Sequence, residues 1–360
     1  HLRLELRTLF VGHLVISISV DLQIGRHACV QEIGGRGLAQ NLEVCLGEIL
    51  SDAEESGQSF THGLSLFCLH REIMRRVERD NGSQSGVAFG THTGHGDEMT
   101  AGGFTDVMLI PNTSPVTDTK AQADYLVQKG KQTPVNIHPI AAITRKTEGK
   151  DLAEMYDMHQ AGAIAFGDGI HPVQSAGLLL KALQYVKTID GTVIQLPDDS
   201  SIGANGLMNE GIVSTRMGLP GKPIVAEELM VARDIKLARY TESRLHFTGI
   251  SSPKSLEYIK RGKEGGIQIS CSITPYQAFF CDEDLAGYNT HLKLNPPLRT
   301  RNDMMAIRQA LLDGSIDCIA SHHLPQHWDG KACEFEYARY GMISLETMFA
   351  VVTTIGLDPQ

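Results

Sequence analysis

The chain is 360 residues long with 42% apolar and 21% charged residues, close to the globular averages of about 45% and 25%, so it can bury a sizeable core and wholesale disorder is excluded. At more than twice the roughly 150 residues of a typical domain, it has room for one large domain and a remainder. Its formal charge of −10, from 32 basic against 42 acidic side chains, has the wrong sign for a protein that binds by neutralising phosphates, which argues against a nucleic-acid partner.

The opening segment, HLRLELRTLFVGHLVISISV, carries charges and histidine through its apolar stretch, and no apolar run in the chain approaches the ~18 to 20 residues that span a bilayer. It reads as neither a membrane span nor a cleavable signal. Seven cysteines, Cys29, Cys45, Cys68, Cys271, Cys281, Cys318 and Cys333, are odd in number, scattered and without a C-x-x-C pair, so a reduced, cytoplasmic protein is the simplest reading. Residues 1–97 show neither sustained period-2 nor period-3.6 patterning, apart from REIMRRVERD (71–80), which reads as helix. NGSQSGVAFGTHTGHGDEMTAGGF (81–104) is rich in Gly and Ser and reads as loop.

From about residue 100 short β-branched runs alternate with helical stretches, the pattern of strand-helix units around a parallel sheet. The predicted strands are DVMLIPNT (106–113), VNIHPIAAI (135–143), AIAF (163–166), GTVIQL (191–196), RLHFTGI (244–250), IQISCSI (267–273) and IDCIASH (316–322). The first four begin about 28 residues apart, near the ~30 per unit of a 250-residue barrel. Between them lie predicted helices with proper punctuation: DTKAQADYLVQKGK (118–131), KDLAEMYDMHQAG (150–162) ended by Gly162, and SPKSLEYIKRGKEGG (252–266) capped by serine and closed by Gly265. Seven strands call for an eighth, expected before residue 100, to close a (β/α)8 barrel. An open doubly wound sheet is the alternative, but its Gly-rich dinucleotide fingerprint after the first strand is missing.

In a parallel barrel the reactive groups sit at the C-terminal ends of the strands and in the loops that follow. Those positions carry Asn112, His138, Asp168, Leu196 followed by Asp198 and Asp199, His246 and Gly249, Ser272, and then His322, His323 and His327. A single strand histidine such as His138 or His246 reads first as a satisfied, hydrogen-bonded side chain. SHHLPQH (321–327) differs, with three imidazoles within six residues. It is either part of a zinc site completed from other strands or a polar, substrate-contacting loop. In KLNPPLR (293–299) two prolines stiffen the chain around Asn295 and Arg299, leaving Arg299 to bind a carboxylate or to make a surface salt bridge. PNTSP (111–115) braces Asn112 in the same way, Met155 and Met158 read as helix packing, and EFEYAR (334–339) as a solvated face.

Taken together, AGGFTDVMLIPNTSPV, AGAIAFGDG, GLMNEG, AEELMVARDIKLA, RLHFTGIS, TPYQ, KLNPPLR, DGSIDCIAS and ARYGMISLET, from about Ala101 to Thr347, resemble in order and spacing the type I dihydroorotases of the amidohydrolase superfamily. The resemblance implies a TIM (β/α)8 barrel of the metal-dependent hydrolase type, holding zinc and interconverting carbamoyl-aspartate and dihydroorotate in pyrimidine biosynthesis. It also implies a small β-rich satellite domain built from the chain ends. The expected division is an N-terminal segment at 1–70 contributing to that satellite, a barrel at 71–350, and the start of a C-terminal flank at 351–360, which leaves the satellite short.

The resemblance breaks at the metal. The family's first-strand H-x-H pair is missing, since His92 and His95 are spaced H-x-x-H and stand too near Gly102. The family's two metal histidines fall on Leu196 and on Gly249, three residues past a retained His246. The acidic strand ending before T-P-H-H reads Ser272 with Tyr276 and Gln277, and the proton-shuttling aspartate of D-H-A-P-H is replaced by His322. Asp168 and His246 are what persists of the expected metal set, with the family's acidic doublet single at Asp168. Asn112, Asn295 and His323 match positions that contact dihydroorotate in the family. One expectation is therefore a catalytically silent homologue, with zinc absent or substoichiometric, that partners aspartate transcarbamoylase. The other is a working hydrolase in which Asp168, His246, His322, His323 or His327 holds one metal and an imidazole replaces the lost aspartate as base. Homodimerisation is a further expectation from the family, as is a pocket for a dihydroorotate-like ligand. The break in texture near residue 98 is also what a change of reading frame would leave.

Overall fold

A computed structural model describes three N-terminal strands and residues 102–357. Strands β1 (Leu4–Val11), β2 (Leu14–Val20) and β3 (Cys29–Ile33) form an antiparallel sheet in that order. In β2, Leu14, Ile16, Ile18 and Val20 alternate with smaller or polar residues, a period-2 run too short to register in the sequence reading of this region. The predicted helix at 71–80, His92, His95 and the expected eighth barrel strand lie outside the described residues.

The remainder is a succession of strand-helix units. In chain order these are β4 (Asp106–Leu109), α1 (Lys120–Gly130), β5 (Asn136–Ala141), α2 (Met155–Gln160), β6 (Ala165–Phe166), α3 (Ala176–Lys187) and β7 (Thr192–Gln195), then β8 (Met208–Asn209), α4 (Ile212–Met217), β9 (Gly221–Lys222), α5 (Val225–Thr241) and β10 (Arg244–Phe247), and finally α6 (Pro253–Glu264), β11 (Ile269–Ile273), α7 (Arg301–Leu312), β12 (Cys318–Ile319) and α8 (Met348–Leu357). β4, β5, β6, β7, β10, β11 and β12 pair in that sequential order, and the registers are parallel throughout. This is the (β/α)8-barrel arrangement with seven strands described. All seven predicted strands are present, and each is shorter than its apolar run. α8 runs across residue 350, where the sequence placed the end of the barrel.

Local chemistry explains the helix boundaries. The Ser252 side chain accepts from the N–H groups of Lys254 and Ser255, Pro253 occupies the first turn, and Gly265 ends α6. Thr300 and Asp303 form a reciprocal capping box at the start of α7. α2 begins only at Met155, later than predicted, because Leu152 is held in an antiparallel bridge with Thr144.

Register decides which face each strand residue serves. Leu245 pairs with Val193 and Phe247 with Cys271, and these join Phe166, Leu179, Leu183, Leu256, Ile259, Met155 and Met158 in the main apolar core beneath the helices. Burying such a side chain stabilises the fold by about 1.5–3 kcal/mol each. The neighbouring residues point the other way. His246 stands in register with Ile194 and Ser270, and Ser272 with Cys318, on the inner side of the sheet.

Candidate functional site

Two polar constellations occupy the mouth of the sheet. The first is built on Asp168, just past β6. Its carboxylate is buried, and Oδ1 accepts the N–H groups of Ile143 and Thr144, each at 2.9 Å, while Oδ2 accepts the Thr144 hydroxyl at 2.5 Å. Three of its roughly four lone-pair positions are thus filled by the loop after β5. Burial pushes this carboxyl up from the ordinary range, opposed by those same hydrogen bonds. Asn112, in the loop after β4, donates from Nδ2 to the Asp168 carbonyl at 3.1 Å and accepts the Ile170 N–H at 3.0 Å. Gly169 sits at φ +64°, where a Cβ would collide with the Asn112 carboxamide oxygen. That close approach accounts for the glycine beside Asp168. His171 closes the group through Thr147, 3.0 Å away.

The second constellation is a chain of hydroxyls and imidazoles. His246 Nδ1 lies 2.8 Å from Ser270 Oγ and its Nε2 lies 3.0 Å from Ser272 Oγ. The Ser272 hydroxyl donates to Thr248 Oγ1 at 3.0 Å, and Thr248 Oγ1 is 2.7 Å from His322 Nε2. One set of donors satisfies the whole chain. In that set Ser270 donates to His246 Nδ1, His246 Nε2–H to Ser272, Ser272 to Thr248, and Thr248 to His322 Nε2, with the His322 proton then on Nδ1; the contact to Thr248 equally accommodates the other tautomer of His322. Both imidazoles keep some solvent contact, yet desolvation holds each down to about 4, so both are neutral near pH 7.

The remaining predicted positions disperse. Leu196 is buried. His323 is buried, and its Nδ1 accepts the N–H groups of Ser344 and Leu345 at 3.1 and 3.3 Å, tying the strand end to the segment before α8. His327 is exposed, so the three imidazoles of SHHLPQH do not converge. His246 is hydrogen-bonded as a lone strand histidine should be, but His138 corrects that expectation. Its buried Nε2 has no partner among the described residues, and burial, opposed by the charge of Asp106, lowers it to about 4.

KLNPPLR serves the architecture. Asn295 Oδ1 accepts from Lys222 Nζ at 2.9 Å, and the same ammonium meets Asp198 Oδ2 at 2.5 Å. Arg299 corrects both readings made from its sequence, since it neither lies at the surface nor waits open for a ligand carboxylate. It is 5% exposed and donates to Ser251 Oγ at 3.0 Å, Asn209 Oδ1 at 3.1 Å and the Lys222 carbonyl at 3.2 Å. Glu227, 3.9 Å from its fork, accepts the Ser251 and Ser252 N–H groups. Sequence reasoning missed Thr144, Lys222, Thr248 and Ser270. No motif marks them, and only the hydroxyl-bearing strand residues of RLHFTGI and IQISCSI hint at the second chain.

Among the described residues, the donor set at these positions does not fit a divalent metal. Leu196 has no donor atom and Gly249 no side chain, both nitrogens of His246 are engaged, and Asp168 is largely consumed. Among the described residues no three His, Cys, Asp or Glu side chains gather to hold an ion, whereas catalytic zinc takes three protein ligands.

Residues 82–255 match the sequence profile of the dihydro-orotase-like family. The dihydroorotase of Pelotomaculum thermopropionicum is 45% identical over 253 residues, covering 70% of this chain and 59% of that protein. That of Geobacter sulfurreducens is 45% identical over 248 residues, covering 69% and 58%. The chain belongs to the dihydroorotase-like family. It spans about six-tenths of the length of these relatives. Among solved structures, the L-hydantoinase (dihydropyrimidinase) of Arthrobacter aurescens superposes with a TM-score of 0.65 at 19% identity, covering 75% of this chain and 64% of that one. The dihydroorotase of Saccharomyces cerevisiae in complex with 5-fluoroorotic acid gives 0.57 at 14% identity, covering 72% and 73%. These two show that the described part of this chain shares their barrel fold. No helix among its described residues is long and apolar enough to cross a membrane.

Proposed function

We propose that this dihydroorotase-family barrel has lost metal-assisted hydrolysis of dihydroorotate and acts in the cytoplasm as a non-catalytic partner of aspartate transcarbamoylase in pyrimidine biosynthesis. The observation that carries the reading is the state of His246. It is retained at a family position, yet serine hydroxyls occupy both its nitrogens, while Leu196 and Gly249 nearby offer nothing to an ion. The partner role rests on the family resemblance, in which metal-less members scaffold that transferase. Asn112, Asn295 and His323 are the residues proposed to face a dihydroorotate-like ligand if the pocket persists.

The test pairs elemental analysis of protein purified without chelator with a dihydroorotate hydrolysis assay, with and without added zinc. The expected result is under about a tenth of a zinc per chain, no turnover, and co-elution with aspartate transcarbamoylase on gel filtration. Stoichiometric zinc with turnover would overturn the silent reading, and separate elution would remove the partner role.

A second reading, a hydrolase with a rearranged site, draws on His322. Its Nδ1 has no protein partner among the described residues, and it stands at the family's proton-shuttle position. Under that reading His322→Ala abolishes any turnover detected, and unchanged turnover in this variant would rule it out.

A further inference from the structure

The misfit at the metal position has a steric cause that can be located. A Cβ built on Gly249 stands 2.9 Å from His322 Cε1, 3.3 Å from Leu196 Cδ1 and 3.3 Å from Pro296 Cδ. Three loops, after β7, after β11 and after β12, thus converge on the one point where a side chain on residue 249 would begin. The imidazole is the nearest of the three, and it is not free to swing aside. Its Nε2 is bonded to Thr248, and its own carbonyl accepts the Tyr276 hydroxyl at 2.7 Å. Its backbone is at φ +43°, a left-handed conformation uncommon outside glycine. Tyr276 is itself buried and also reaches the Ser321 carbonyl at 3.2 Å, so the strand end carrying the ring is fixed from below.

We infer that His322 and Gly249 form a mutually dependent pair at the C-terminal ends of β12 and β10. The His322 imidazole fills the volume that a side chain at 249 needs, and the missing side chain at 249 is what lets the ring sit there. A metal-ligating side chain is therefore excluded from position 249 for as long as His322 holds its place. Leu196 and Pro296 complete the wall. This deepens the reading of the mouth as metal-free and rests on it. The test reads packing, whereas that reading is tested by zinc content and turnover, so the two can fail separately.

The experiment is a double-mutant cycle on the whole chain, comparing thermal melts of the native protein, Gly249→Ala, His322→Ala and the double variant. The φ of +72° at Gly249 strains any alanine there in both backgrounds and cancels in the cycle. Gly249→Ala is expected to lower the melting temperature of the native chain at least about twice as far as it lowers that of His322→Ala. Equal drops in the two backgrounds would overturn the inference. If Gly249→Ala alone gives no cooperative melt, recovery of one in the double variant supports the pair, and continued failure to melt cooperatively refutes it.

Discussion

Replacing Asp168 by alanine strands three donors at once, the Ile143 and Thr144 N–H groups and the Thr144 hydroxyl, in a site closed to water. Each orphaned donor costs about 1–3 kcal/mol. Asp168→Ala is therefore expected to lower the unfolding free energy by about 3 kcal/mol or more in urea titrations, with Asp168→Asn losing less because its carbonyl oxygen still accepts. A loss under about 1 kcal/mol would show that the loop after β5 does not depend on this carboxylate. Arg299 makes a similar case through its planar fork. Arg299→Lys is expected to recover little of the stability lost in Arg299→Ala, about 3–5 kcal/mol, because an ammonium cannot reach Ser251, Asn209 and the Lys222 carbonyl together. Full rescue by lysine would mean that charge alone matters there. The reactive residue types are treated in the same structural way. Burial raises the thiols of Cys271 and Cys318 to about 12, which leaves them inert at neutral pH.

Among the elements, α6 and α5 make distinct predictions. Ser252 caps α6 and also donates to Glu228 at 2.7 Å, so Ser252→Ala is expected to cost about 1–2 kcal/mol, measured by urea midpoint. α5 carries Asp234, fully buried, bonded to Arg233 Nε at 2.6 Å and to Gln195 Nε2 at 3.3 Å. Arg233 in turn holds the carbonyls of Val173 and Gln174, clamping the loop after β6 to the helix. Burial raises Asp234 from 3.8 to about 6 against the pull of Arg233 and Gln195. A carboxyl whose folded pKa lies above its unfolded value binds its proton more tightly when folded. Its contribution is present in full below about 4 and is lost as the pH rises through about 6. Asp168 shifts in the same direction, so the informative quantity is the difference between the native chain and Asp234→Asn. That difference should change between pH 4 and 6 and be flat from 6.5 to 8. A difference that is constant from pH 4 to 8 would mean Asp234 titrates normally.

At the scale of the whole molecule, the absence of a fitting donor set among the described residues predicts how the protein responds to zinc. A metal bound only by the folded state at a hundred times its dissociation constant stabilises by about 2.7 kcal/mol. For a chain of 360 residues that is a rise of roughly 3–4 °C in melting temperature. Addition of 100 μM zinc is expected to leave the melting temperature unchanged within about 1 °C. A rise of about 3 °C or more that a chelator reverses would show a site that the described residues do not reveal.

The order of the strands, the helices between them and their punctuation were legible in the sequence, because parallel strand-helix units write themselves as local periodicity, caps and spacing. GTVIQL and RLHFTGI announced β7 and β10, and Ser252 and Gly265 bounded α6, without reference to anything distant. Leu196, Gly249 and His322 were legible too, since each falls at a fixed place in an ordered motif. What the sequence could not decide was pairing. Arg299 looked like a surface or ligand-binding arginine until Asn209, Ser251 and Glu227, 48 to 90 residues away, closed around it. Thr248, Ser270 and Ser272 carried no signal as a group, because hydroxyl partners are chosen by register between neighbouring strands and not by spacing along one. Periodicity and capping are local properties of a chain. Which buried donor finds which acceptor, and which ring fills the space left by a missing side chain, depends on distances that exist only after the strands have assembled.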